Sequence, residues 1–153
     1  LGTLCLAWAP ATAAGSIIEM EENRAIVCPR FATGGLDNIL RIWHFNSADN
    51  TWKLEQSLAE HSDWIRAVSW CPLMSNGNLS QLAAGLNSGQ VVLWNCNIST
   101  QEWSVEVLRS GKSNSTRDCV TNIDWSECGS MLCIAYQNRK SAILERKMDN
   151  SWQ

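Results

Sequence analysis

Nine tryptophans recur at fixed spacings along a chain of 153 residues. Trp43 and Trp52 are 9 apart, as are Trp94 and Trp103, and the second pair follows the first by 51. Trp152 stands 49 residues beyond Trp103. A second series, Trp8, Trp70 and Trp125, sits in the short apolar runs LAWAP, AVSWCP and TNIDWSE. Two interleaved series at one period mean one structural unit used three times. Periods of roughly 20–50 residues mark solenoids, propellers and arrays.

Each unit reads as four short strands. The first strands are Leu4–Trp8, Ala67–Trp70 and Thr121–Trp125. The second are Arg30–Gly34, Gln81–Gly85 and Met131–Tyr136, and the third are Ile39–Trp43, Gln90–Trp94 and Ser141–Leu144. The fourth begins at Trp52, Trp103 and Trp152. Between strands two and three lie Leu36-Asp37-Asn38, Asn87-Ser88-Gly89 and Asn138-Arg139-Lys140. Such polar or glycine-containing turns tolerate positive φ and suit hairpins. β-Branched and aromatic residues dominate strands three and four, and no segment sustains a 3.6-residue period. The predicted class is all-β, with antiparallel four-stranded blades of a β-propeller. The units span about 1–57, 58–108 and 119–153. Three connecting stretches, 10–30, 72–80 and the polar 109–119, read as surface loops.

Composition removes several function classes. With 12 basic and 15 acidic residues, net charge is −3, and the basic footprint of a nucleic-acid binder is missing. The seven cysteines contain no CxxC, and His44 and His61 are the only histidines. That set serves a zinc site poorly, so the cysteines read as reduced, mostly buried apolar side chains. The uncharged start, LGTLCLAWAPATAA, lacks a basic n-region. Pro10, Gly15 and the threonines make it a poor membrane span. The sequons at Asn78, Asn97 and Asn114 read as chance, and Glu19, Glu21 and Glu22 as a solvated charge run. No nucleophile–base pair, phosphate loop, HExxH or paired carboxylates stand out, so no catalytic residue, metal or cofactor is expected.

The run FATGGLDNILRIW (31–43), followed by Trp52, resembles a WD40 repeat. LAEHSDWIRAVSWCP (58–72), followed by GQVVLW (89–94), resembles the next. HSDWIRAVSW (61–70) after LEQSL (54–58), with a loop starting WAPATAAGS (8–16), narrows the likeness. It is similar to the small WD40 family shared by the COPII outer coat and the Y-shaped scaffold of the nuclear pore. The similarity runs along the whole chain and corresponds to that family's last three blades. WD40 blades are locked by a hydrogen-bonded set of His, Ser or Thr, Asp and Trp. The resemblance carries these roles to Thr33, Asp37 and Trp43 in the first unit. In the second it carries them to His61 and Trp94, while Ser88 holds the turn and Ala83 and Ala84 replace the hydroxyl residue. In the third unit Leu144 replaces the Trp, and Arg139 and Lys140 hold the turn. The first unit's His would fall just ahead of Leu1.

The resemblance implies an open six-bladed propeller acting as a non-catalytic scaffold in ER-to-Golgi transport. A partner with a long helical solenoid would insert β-strands to supply a missing blade. Candidate residues on the third unit's faces are Ile123, Trp125, Leu132, Ile134 and Ile143. No nucleic acid, small-molecule substrate or direct lipid contact is implied. The implied location is the cytosolic face of endoplasmic-reticulum exit sites, the nuclear envelope, or both. The alternative is a peptide-recognition adaptor such as a substrate receptor. It would read a motif with loops around Asp37, Ser62–Trp64 and Asn87, where Asp63, Trp64 and Arg66 are available. Because propellers close with about 4–8 blades, three blades are expected to belong to a longer ring. Alone they would expose two apolar faces and self-associate.

Overall fold

The computed structural model describes residues 2–11, 18–21, 24–59, 61–73, 78–110, 118–147 and 151–153. Thirteen strands follow one another. They are β1 (Thr3–Trp8), β2 (Ile18–Glu21), β3 (Arg24–Val27), β4 (Arg30–Gly35), β5 (Leu40–Asn46), β6 (Thr51–Leu58) and β7 (Ile65–Trp70). Then come β8 (Leu79–Leu86), β9 (Val91–Asn97), β10 (Trp103–Arg109), β11 (Val120–Trp125), β12 (Met131–Tyr136) and β13 (Ser141–Glu145). Sheet one has the order β1-β4-β5-β6, sheet two β7-β8-β9-β10 and sheet three β11-β12-β13. Every pairing is antiparallel between strands that neighbour in sequence, apart from the β2–β3 excursion. The three sheets form a propeller-type stack. Among the described residues, no helix is long and apolar enough to cross a membrane.

The turn chemistry does what the sequence predicts. Asn38 (φ 63°), Gly89 (φ 82°) and Arg139 (φ 66°) take the left-handed conformation at one equivalent hairpin position. Asn and Gly adopt it readily, whereas Arg139 carries a steric cost there. A second shared device is a register shift in each first strand, between Thr3 and Cys5, Ile65 and Ala67, and Val120 and Asn122. A bulge of this kind bends the strand and increases its twist.

One feature departs from the sequence reading. The stretch read as a loop over 10–30 contains the small hairpin β2–β3. Four-residue strands are too short for alternation to register. Glu19 and Glu21 fall within β2, and Glu22 lies outside the described residues. In sheet three the fourth position begins, among the described residues, at an antiparallel bridge from Arg146 to Trp152. Ser151–Gln153 meet Glu145–Lys147 there, through Glu145 N to Gln153 O (2.9 Å) and Lys147 N to Ser151 O (2.8 Å).

Sheet two is covered on both faces, so its burial does not alternate: seven of eight residues of β8 are buried. Towards sheet one it turns Val68, Trp70, Leu82, Ala84 and Trp94, which pack with Ala32, Leu40 and Ile42. Towards sheet three it turns Ala67, Ala83, Val91 and Leu93, which pack with Val120, Ile123, Trp125, Leu132 and Ile134.

Candidate protein-interaction site

Strand alternation gives each sheet two faces, and the stack covers one face each of sheets one and three. Sheet one approaches sheet two through glycine: a Cβ at Gly34 would lie 2.4 Å from Ile65 Cγ2. Sheet two meets sheet three in the same way, because a Cβ at Gly85 would lie 2.3 Å from Val120 Cγ1. The first strand of each following sheet therefore rests almost directly on the backbone of the sheet before it.

This packing corrects four of the five partner candidates. Ile123, Trp125, Leu132 and Ile134 are all buried. Odd positions of β11 and even positions of β12 share one face, and that face is spent on sheet two. Trp125 also donates its indole N–H to Ser69 O at 3.0 Å and stacks edge-on against Trp152. Ile143 alone faces outward, with 65% of its surface exposed. It shares this face with its cross-strand neighbour Cys133, and with Asp124 beyond. The equivalent residues in sheets one and two, Ile42 and Leu93, are fully buried by the next sheet.

The outer face of sheet one is aromatic. Phe31 lies 4.8 Å from Trp52 and 5.5 Å from Trp8, and Phe45 lies 5.3 Å from Trp52, centroid to centroid. Leu4, Leu6, Trp8, Trp52 and Leu54 on the same sheet are exposed. A contiguous apolar face of this kind is suited to packing against a further sheet or another protein. The sequence reading used Trp8 and Trp52 as repeat markers, and only the pairing register brings them onto one face.

The hydrogen-bond set resolves into separate pairs. Trp43 Nε1 donates to Thr33 Oγ1 at 3.0 Å. Asp37 does not join them: its carboxylate takes the Arg41 guanidinium at 2.7 Å and the Ile39 backbone N–H at 3.4 Å. The Arg41 hydrogen bond holds the Asp37 carboxyl below the usual range. In the second unit Ala84 stands where Thr33 does, and Trp94 Nε1 reaches His61 Nε2 directly at 3.0 Å. Trp70 Nε1 bonds Ser80 Oγ at 2.7 Å, a buried pair that no motif announced. In the third unit Asn138 donates to Asp118 at 2.6 Å, as Asn87 donates to Asp63 at 3.3 Å in the second. This acid–amide pair across the loop recurs where the WD40 set is eroded. Replacing buried His61 with alanine would leave the Trp94 N–H without its acceptor. We expect a loss of about 1–3 kcal/mol in denaturant unfolding; an unchanged midpoint would refute the role.

The loops of the alternative reading are only partly assembled. Asp63, Arg66 and Asn87 do come together, with Arg66 donating to Asn87 Oδ1 at 3.4 Å and Asn87 to Asp63. Their polar groups engage one another, and Trp64, whose backbone N–H donates to Asp63 Oδ1 at 2.8 Å and whose carbonyl accepts from Asn87 N at 2.9 Å, is 44% exposed. Among the described residues, no three His, Cys, Asp or Glu side chains gather as metal ligands would.

The cysteines divide by environment. Cys28, Cys71, Cys96 and Cys119 are buried, Cys5 is half-buried, and Cys128 and Cys133 are exposed. Burial pushes the Cys5 and Cys96 thiols up to about 11. Hydrogen bonds from Ser126 and Ser130 lower Cys128 to about 7. Thiolate is the reactive form, so maleimide labelling of Cys128 should rise with pH and reach half its plateau near pH 7. Peptide mapping that finds Cys5 or Cys96 labelled first would contradict this assignment.

Comparison with known proteins agrees with this architecture. The model of the WD domain, G-beta repeat, matches residues 52–95. The human protein named Protein SEC13 homolog is 32% identical over 99% of this chain and 46% of its own length. The Neurospora crassa protein named Protein transport protein sec13 is 33% identical over 100% of this chain and 49% of its own length. The chain thus spans about half the length of the curated relatives it matches. Three antiparallel sheets stacked through glycine and a tryptophan in each first strand fit a WD40-repeat propeller, and along its whole length this chain is similar to about half the length of these Sec13 proteins.

Proposed function

We propose that this chain is a non-catalytic scaffold segment of a Sec13-type protein in vesicle transport, and that a partner supplies the β-strands covering sheet three. The observation that carries the reading is the outward face of that sheet. Its counterparts on sheets one and two are sealed by a following sheet, whereas Ile143 is 65% exposed. Two general facts support coverage by a partner: an exposed apolar sheet face marks a place for another protein to pack, and extended segments are a common way to supply β-strands in trans. The relatives' name, protein transport protein, supports the cellular setting. On this reading the units at about 1–57, 58–108 and 119–153 are three blades of a six-bladed open ring. Thr33, Asp37, Trp43, His61 and Trp94 brace its turns. The partner is a helical-solenoid subunit of the COPII outer coat or the nuclear pore scaffold, at exit sites or the nuclear envelope.

A pull-down with the full-length protein tests this. Recovery of a solenoid partner with an insertable β-segment is expected, and Ile143→Asp should cut that recovery at least tenfold. Stability should stay within about 0.5 kcal/mol, as for other surface substitutions. Recovery of short linear motifs that survives Ile143→Asp and depends on Trp64 would instead establish the adaptor reading. That reading has a weaker start, because Asp63, Arg66 and Asn87 are engaged with each other.

A further inference from the structure

Sheet three differs from the other two at the point where a neighbouring sheet comes closest. Gly34 pairs with Cys5 and Gly85 with Ala67, each just past the bulge of the first strand. The residue in that register on sheet three is Ala135, paired with Asn122. At Gly34 an added Cβ would meet Ile65 Cγ2 at 2.4 Å and Ile65 Cβ at 2.8 Å. At Gly85 it would meet Val120 Cγ1 at 2.3 Å and Val120 Cβ at 2.8 Å. Contacts below 3.0 Å are essentially unknown for real Cβ atoms. Ala135 already carries that carbon. The closest clash in both cases comes from a γ-carbon of a β-branched residue. A glycine in the same place removes both contacts, and an alanine removes the γ-carbon contact but keeps the 2.8 Å Cβ contact, so its strand must also sit further out than Ile65 or Val120 does.

The same geometry bears on a second copy of this chain. Its β1 would bring Thr3 to the position, since Thr3, Ile65 and Val120 hold equivalent registers opposite Gly35, Leu86 and Tyr136. Threonine is β-branched and carries the offending γ-carbon. The rest of the face adds chemistry. Cys133 and Ile143 form its apolar centre, Asp124 and Glu145 are exposed beside them, and β11–β13 contain no Lys or Arg.

Resting on the scaffold reading, we propose that Ala135 is a specificity determinant for the strand that covers sheet three. That strand carries glycine or alanine over Ala135, apolar residues over Cys133 and Ile143, and basic residues towards Asp124 and Glu145. It is not β1 of a second copy.

The test uses the full-length protein and the complex it forms with the recovered partner, with N-ethylmaleimide as the probe. In the complex, Cys133 labelling should slow at least tenfold relative to the free protein. Ala135→Val should reduce partner recovery at least tenfold, while Ala135→Gly keeps it, with circular dichroism verifying that both variants fold. A cryo-electron microscopy map of the complex should place a glycine or alanine of the partner over Ala135. Protected Cys133 together with undiminished binding by Ala135→Val, or a valine, isoleucine or threonine of the partner seen over Ala135, overturns the specificity rule and leaves the scaffold reading standing. Equal Cys133 labelling in free protein and complex overturns the scaffold reading and the rule with it. Protection of Cys133 by self-association alone overturns the exclusion of a second copy.

Discussion

Trp125→Ala is expected to lower the unfolding free energy by about 3–5 kcal/mol, the range for truncating a buried large aromatic. Three contacts set that size. The ring is buried between sheets two and three, it packs edge-on to Trp152 at 5.6 Å, and its N–H satisfies Ser69 O at 3.0 Å. Arg146 also lies 6.0 Å above the ring and 5.0 Å above Trp152, so the cation anchors the edge of sheet three as well. Equilibrium urea unfolding of the full-length protein measures the effect. A loss below about 1 kcal/mol would mean that Trp125 is not part of this core and would reopen its place as a partner contact.

Gly85→Val is expected to cost about 3 kcal/mol or more, at the upper end for overpacking. The new Cβ would sit 2.3 Å from Val120 Cγ1 and 2.7 Å from Ile123 Cδ1. Neither neighbour can swing into solvent, because Val120 is fully buried and Ile123 nearly so. Relief requires sheet three to shift as a body. Hydrogen exchange should therefore show β11 losing protection first, while β4 and β5, on the far side of sheet two, keep theirs. Uniform protection with an unchanged unfolding midpoint would contradict the glycine-seated stack.

Most of the fold was legible because the repeat is written in residues with strong local meaning. The tryptophans fixed the period, and Asn38, Gly89 and Arg139 fixed the hairpins. The interaction faces were harder to read. Alternation assigns Ile123 and Ile143 to opposite faces of sheet three, yet nothing in a single strand says which face the neighbouring sheet takes. That choice is made by Gly34 and Gly85, whose missing side chains admit Ile65 and Val120 from 31 and 35 positions further along. The hydrogen-bond set was legible only in part, because Thr33 meets Trp43 and His61 meets Trp94 while Asp37 stands apart from them. Asp37 matches the motif, but its carboxylate pairs with the Arg41 guanidinium, four residues on, at 2.7 Å. The Asp118–Asn138 pair escaped notice because Asp118 lies outside the motif, although Asn138, just before Arg139, stands where Asp37 does in the first unit. Its only signal was the parallel with Asp63 and Asn87.

The most direct test of the central claim is a cryo-electron microscopy map of the full-length protein with the partner it recovers. The account predicts foreign β-strand density lying over Cys133, Ala135 and Ile143, with Trp125 and Leu132 sealed against sheet two. A map in which sheet three's outer face stays bare while a short peptide occupies the loops around Asp63 and Trp64 would contradict it.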